Sequence, residues 1–323
     1  MGQILRSYGT LIGVVGIILV FWALLPGTFM TLRNWLTMSQ QLSMLIVVAA
    51  GMTVVMVMGD FDLSVGAMAS LAGVVAAVLF AAGFGVPMAL AAALAVGVVG
   101  GALNGALVSL LGILPFVATL ATLTIFSGAA FLVSGGKTIS GKAIPEAFSG
   151  FAKGGISLGM IGDKPALLPW LTVLALAVVA VVWVVLEQTS FGRRLYAIGG
   201  NMEAARLAGV KVVRLRLLAF VITGGTAALA GLMYAARVAS ANPVQGDGLM
   251  LTAIAAVFLG MTMSRGGEPR VLATLIGVVV LGVMDNGLTQ LQVDSYVREV
   301  LVGVIILAAV SISAIGRRAA GLR

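Results

Sequence analysis

Cysteine and histidine are both missing from this sequence of 323 residues, and only 9% of its residues carry a charge. Without thiols or imidazoles there are no disulfides, no thiolate or imidazole metal sites, and no nucleophile that relies on a histidine base. Covalent catalysis, a resident metal and a cofactor are therefore not expected. A full Walker-type Gly-x-x-x-x-Gly-Lys-Ser/Thr phosphate loop is absent as well, so the chain does not handle a nucleotide by that device. No Lys or Arg is centred in a long apolar run and carboxylates are few. Carriers driven by protons or sodium need ionisable groups along their path, so the energy for any transport must come from outside the chain.

What fills the sequence is apolar: 61% hydrophobic residues and a mean hydropathy of +1.17. Long apolar runs split by short polar breaks define an all-α membrane protein that crosses the bilayer many times. The 43 glycines suit helices that approach closely in lipid. A net charge of +8 does not point to nucleic acid here, because the positive residues gather beside the apolar runs as topology determinants. The run after Arg6 continues to Leu25 without a small-residue cleavage region, so it reads as a first span and not as a signal peptide.

Ten spans are expected, at about 8–26, 42–58, 64–82, 87–111, 115–134, 166–186, 216–236, 249–263, 270–291 and 297–315. An even number puts both termini on one side. Arg6 at one end and Arg317, Arg318 and Arg323 at the other place that side in the cytoplasm, with Arg265 and Arg270. One polytopic domain over 1–323 is expected, with an outer loop at 135–165 and a cytoplasmic loop at 187–215.

Laid over itself, the sequence brings Pro87-Met-Ala-Leu90 onto Pro269-Arg-Val-Leu272, Gly100 onto Gly282 and Asn104-Gly105 onto Asn286-Gly287 without a gap. At the same offset, the polar break Gly59-Asp-Phe-Asp-Leu-Ser-Val-Gly66 falls on Ala241-Asn-Pro-Val-Gln-Gly-Asp-Gly248. Because the offset moves five spans, an odd number, the halves (about 1–134 and 166–323) form a five-plus-five inverted repeat.

Both breaks are too short for ordinary loops, and irregular backbone at membrane depth is tolerated where it is buried in protein or lines water. Asp60, Asp62 and Ser64 of the first can hydrogen-bond a polyhydroxylated solute, or Asp62 and Ser64 can simply cap the next span. Asn242, Gln245 and Asp247 of the second invite the same two readings. Asn104 and Asn286 lie inside spans, where an amide serves either as packing glue or as a ligand contact.

The chain stops reading like membrane over 189–211, which holds Arg193, Arg194, Arg206 and Lys211. Gly199 and Gly200 are expected to break the chain, Asn201 to cap a new helix, and Glu203 to sit in its first turn, where its charge suits the helix dipole. Gly209 stops it. A helix over 202–208 is too short to be stable unsupported, so it is either a docking element or part of a solvated loop that ties two spans together.

These stretches resemble the membrane-spanning permease subunit of ribose-type ABC importers. The resemblance runs through 59–66, Leu103-Asn-Gly105, Leu114-Pro-Phe-Val-Ala-Thr-Leu120, 189–210, 242–248, Ala253-Ile-Ala-Ala-Val-Phe-Leu-Gly260 and Asp285-Asn-Gly-Leu288, in order from near residue 40 to the C-terminus. It implies a bacterial inner-membrane protein that works with a cytoplasmic ABC ATPase, a periplasmic sugar-binding protein and a second permease, either a copy or a paralogue. It also implies that Gly199, Gly200, Asn201, Glu203, Ala204, Ala205, Arg206 and Gly209 form the coupling helix between spans six and seven. After Phe258-Leu-Gly260 the chain departs from the family pattern, reading Met261-Thr-Met-Ser-Arg-Gly-Gly-Glu-Pro-Arg270, which implies a pentose, deoxysugar or polyol in place of ribose itself. The alternative from another class is a self-sufficient carrier or channel on the same repeat.

Overall fold

A computed structural model describes residues 2–162, 164–264, 266–301, 303, 304, 307 and 311. The order along the chain is α1 (Gly2–Leu24), α2 (Leu32–Met56), α3 (Val65–Ala81), α4 (Val86–Ser109), α5 (Pro115–Ser134), β1 (Ile139–Ser140), α6 (Glu146–Lys153), β2 (Gly155–Ile161), β3 (Lys164–Pro169), α7 (Trp170–Trp183), α8 (Ser190–Gly200), α9 (Met202–Leu207), α10 (Val212–Val238), β4 (Ser240–Ala241), α11 (Leu249–Met261) and α12 (Val271–Gln290). Six helices among the described residues are long and apolar enough to cross a membrane: α2, α4, α5, α7 with its π-helical extension to Gln188, α10 and α12. Three shorter apolar helices accompany them: Gly13–Leu24, α3 and α11. The chain is a multi-pass, helical membrane protein. Most of the expected span 297–315 lies outside the described residues, with helical backbone at 295–301. Arg265, Arg317, Arg318 and Arg323 also lie outside them.

Proline and small polar residues set several helix starts. Pro115 opens α5, and Pro87 stands in the first turn of α4, positions where the missing N–H costs nothing. α2 begins at Leu32 and not near 42, because Thr31 caps it by accepting from the Asn34 N–H at 3.2 Å. The polar first half of α2 hid that start, and several polar groups there have partners. Ser39 meets Thr172 at 3.0 Å, Gln40 donates to the Ala152 carbonyl at 2.6 Å, and Ser43 donates to the Ser39 carbonyl at 2.8 Å.

The core centres on α10, which packs against α2, α3 and α4. Gly97, Gly101 and Gly105 of α4 face it at four-residue intervals. A Cβ on any of them would run into Gly224 and Ala228, the Phe220 carbonyl or the Leu217 backbone, so the two backbones touch. With lipid outside as apolar as leucine, van der Waals contact at this spacing holds the pair together.

The segment expected as an outer loop at 135–165 is structured. α6 is amphipathic, burying Phe148 and Ala152 between Glu146 in its first turn and Lys153 in its last. β2 and β3 form an antiparallel hairpin, so the sixth span begins at Trp170 and not at 166. β1 pairs with β4, setting Ile139 opposite Ala241 and Ser140 opposite Ser240. That pairing ties this segment to the second polar break.

Candidate coupling and translocation site

Between α7 and α10 the chain folds back on itself in two short helices. Leu195 and Ile198 of α8 are fully buried. Gly199 and Gly200 do not break the chain as expected: α8 runs through both and ends at Asn201. Gly199 is needed for contact instead, since a Cβ there would lie inside the Val57 carbonyl at the end of α2. Asn201 caps α9 as expected, its Oδ1 accepting from the Ala204 N–H at 2.9 Å, and Glu203 sits in the first turn. Gly209 follows in the left-handed region at φ +83°, a conformation that suits glycine. Ala205 is the buried residue of α9, while Leu207 is 81% and Met202 38% exposed. Ala204 and Arg206 are exposed beside them.

The α2–α3 turn, residues 57–64, lies directly above. Arg216, in the second turn of α10, grips Asp60 with both arms of its guanidinium, Nε to Oδ2 and Nη2 to Oδ1, each at 2.8 Å. Asp62 and Ser64 point the other way, into the bundle. The Asp62 Oδ1 accepts from the Ser64 N–H at 2.9 Å and the Ser64 hydroxyl at 2.6 Å. Asn104 of α4 donates to the Ser64 Oγ at 2.8 Å and, more distantly, to Asp62 at 3.3 and 3.4 Å. Thr122 of α5 donates to the Asn104 Oδ1 at 2.6 Å. Asp62, Ser64, Asn104 and Thr122 are all buried, and every one of them is bonded. The plain capping reading of Ser64 fails: it stands at the start of α3 but makes no side-chain cap.

The second break folds on itself. Asn242 accepts from the Val244 N–H at 3.0 Å, Gln245 accepts from the Asn242 N–H at 3.3 Å, and Asp247 is exposed. The two breaks matched in sequence approach each other in space, because a Cβ on Gly66 would stand 2.7 Å from the Gly246 carbonyl. Ser70 accepts from the Gly246 N–H at 2.8 Å. Asn286 is not with them. Its amide pairs with Asn34 of α2, and Gln290 donates to its Oδ1 at 2.9 Å.

A family model described as "branched-chain amino acid transport system / permease component" matches residues 34–310. The chain belongs to this permease family. The permease is 38% identical over 307 residues to the ribose import permease protein RbsC of Bacillus subtilis, covering 95% of this chain and 92% of that protein. It is 36% identical over 310 residues to the L-arabinose transport system permease protein AraH of Escherichia coli, covering 96% and 90%. To the D-allose transport system permease protein AlsC of the same organism it is 34% identical, covering 95% and 91%. No solved structure matches. The family is one of transport permeases and not of enzymes.

The permease also uses residues that the sequence reading passed over. Tyr196 of α8 donates to the Pro269 carbonyl at 2.8 Å, and Arg270 lies 5.9 Å over its ring. Glu187 accepts from the Val271 N–H at 3.2 Å and meets Arg270 at 3.6 Å. Thus α8 holds both the α2–α3 turn and the α11–α12 turn. Burial, followed by the nearby Glu187 charge, pushes the Tyr196 hydroxyl up to about 12. Arg216 is one of three cations at the start of α10, with Lys211 and Arg214, and nothing in the sequence singles it out from them. Thr122 had no signal beyond a threonine-rich span.

Proposed function

We propose that this permease is the membrane-spanning subunit of a binding-protein-dependent ABC importer for a monosaccharide, either a pentose, a deoxysugar or a related polyol. The observation that carries the reading is α9: a capped helix of six residues at the end of the bundle, seated by Ala205, with Leu207 81% exposed at its tip. A large apolar side chain offered on so short a helix needs a partner, and an ATPase cleft supplies one. The relatives named above are named for ribose, L-arabinose and D-allose, which are all monosaccharides.

In this reading 189–211 and both termini are cytoplasmic, 135–169 faces outward toward a periplasmic sugar-binding protein, and a second permease, copy or paralogue, completes the path. Ten spans in a five-plus-five inverted repeat are supported by two short helices, α3 and α11, that each follow a polar break. The coupling surface comprises Asn201, Glu203, Ala204, Ala205, Arg206 and Gly209, with Gly199 and Gly200 behind it. Asp62, Ser64, Asn104, Asn242, Gln245 and Asp247 border the path. Asp60 and Asn286 hold helices together through Arg216 and Asn34.

Glu203→Lys tests the coupling role. It should leave the complex assembled in the membrane while separating binding-protein-stimulated ATP hydrolysis from sugar uptake. Normal uptake by that variant would overturn the role. Sustained, selective sugar flux through the chain alone in liposomes would establish a self-sufficient carrier instead.

A further inference from the structure

The α2–α3 turn is held at three points. Gly199 of α8 presses on Val57 at its start, Arg216 of α10 grips Asp60 in its middle, and Asn104 of α4 holds Asp62 and Ser64 at its end. The last two holders do not move apart, because Gly105 of α4 meets the backbone of Leu217, the residue after Arg216. The clasps differ in strength. Arg216 makes two charge-assisted bonds of 2.8 Å between side chains 14% and 6% exposed. Asn104 makes an uncharged bond of 2.8 Å to Ser64 and reaches the Asp62 carboxylate only at 3.3 and 3.4 Å.

A planar guanidinium fork fixes direction as well as distance, and a buried ion pair serves better to set register than to add stability. A push by α8 on Val57 therefore pivots the turn at Asp60, and the contact that gives is the long one between Asp62 and Asn104. We propose that Arg216 is a positioning residue of the transport cycle: by fixing Asp60 it delivers displacement of α8 and α9 to the buried Asp62, Ser64 and Asn104. The proposal rests on the importer reading above.

The test uses the full chain assembled with its ATPase and binding protein in proteoliposomes, with ribose, L-arabinose and D-allose as probes. Sugar moved per ATP hydrolysed is compared for wild type, Arg216→Met, Arg216→Lys and the exchange of Asp60→Arg with Arg216→Asp. The Met variant should fall about tenfold in that ratio, a size typical of residues that carry coupling without touching ligand. Its stimulated hydrolysis and its half-saturating sugar concentration should stay near wild type. The exchange variant should regain part of the ratio because it restores a guanidinium fork on a carboxylate, and Lys, which keeps the charge without the fork, should regain less. An unchanged ratio in the Met variant overturns the proposal, as does a loss of uptake that follows only the amount of assembled complex. An exchange variant no better than Met overturns it too. If wild type moves none of these sugars, nor a deoxysugar or polyol, with ATP, the importer reading fails and takes this inference with it. If wild type moves one and the Met variant matches it, only the inference fails.

Discussion

Asn34 and Asn286 exchange amide hydrogen bonds across 252 residues of sequence, Asn34 donating at 2.9 Å and Asn286 donating back at 3.0 Å. The exchange clamps α2 to α12 and engages both amides in packing. Replacing either by alanine should cost about 1 kcal/mol, the usual net worth of such a bond in membrane proteins. Thermal unfolding of the purified permease measures the loss, and a double-mutant cycle should recover a coupling between the two sites. The sugar concentration for half-maximal uptake should not move. A shift there would return Asn286 to the translocation path.

Asn104 stands differently, since its amide serves Ser64 and Asp62 on one side and Thr122 on the other. Asn104→Leu removes donor and acceptor at once and leaves the buried Thr122 hydroxyl without its nearer acceptor. Thr122 keeps the Thr119 carbonyl and Ser64 keeps Asp62, so the loss should be about 1–2 kcal/mol, that of the bonds removed. Thr122→Val, which removes only the hydroxyl with its bonds to Asn104 and the Thr119 carbonyl, should cost less. Equal losses would mean that the network is not cooperative.

Asn201→Ala removes the cap of α9. The loss should be about 1 kcal/mol and local, because so short a helix has little else to start it. Hydrogen exchange at residues 203–208 should quicken while exchange within α10 is unchanged. ATPase stimulation should fall with it.

Tyr196 gives a pH prediction. Its hydroxyl pKa is raised in the folded protein to about 12 from the ordinary 10.0, so its contribution is fully present below pH 10 and is lost as pH rises toward 12. An absorbance titration should show a late phenol step from Tyr196. Tyr196→Phe should remove that late step and the bond to the Pro269 carbonyl, leaving the α11–α12 turn held by Glu187.

Much of this architecture can be read from residue pattern alone. The apolar runs over 64–82, 115–134, 249–263 and 270–291 correspond closely to α3, α5, α11 and α12, because in lipid a helix must satisfy its own backbone and hydropathy alone marks it. The Asn201 cap and the Gly209 stop were legible for the same local reason. Partners distant in sequence were not. Nothing near Asp60 announces Arg216, and nothing near Asn286 announces Asn34, so each amide or carboxylate read equally well as a ligand or as a bond to another helix. α6 was missed although Glu146 and Lys153 stand at its ends with Phe148 and Phe151 one turn apart, because a charged stretch between spans was taken as loop. Gly199 and Gly200 were taken as a break because glycine is a poor helix former, yet contact with Val57 outweighed that propensity.

The glycine stripe of α4 bears on how this protein is made. Gly97, Gly101 and Gly105 enter the bilayer well before the ribosome reaches α10, so in the nascent chain the stripe has nothing to grip. The centre of the bundle closes only when Leu217, Phe220 and Gly224 arrive. Pieces split within 135–165 would each lack half of that seam, and would have to find one another in the bilayer before either became durable.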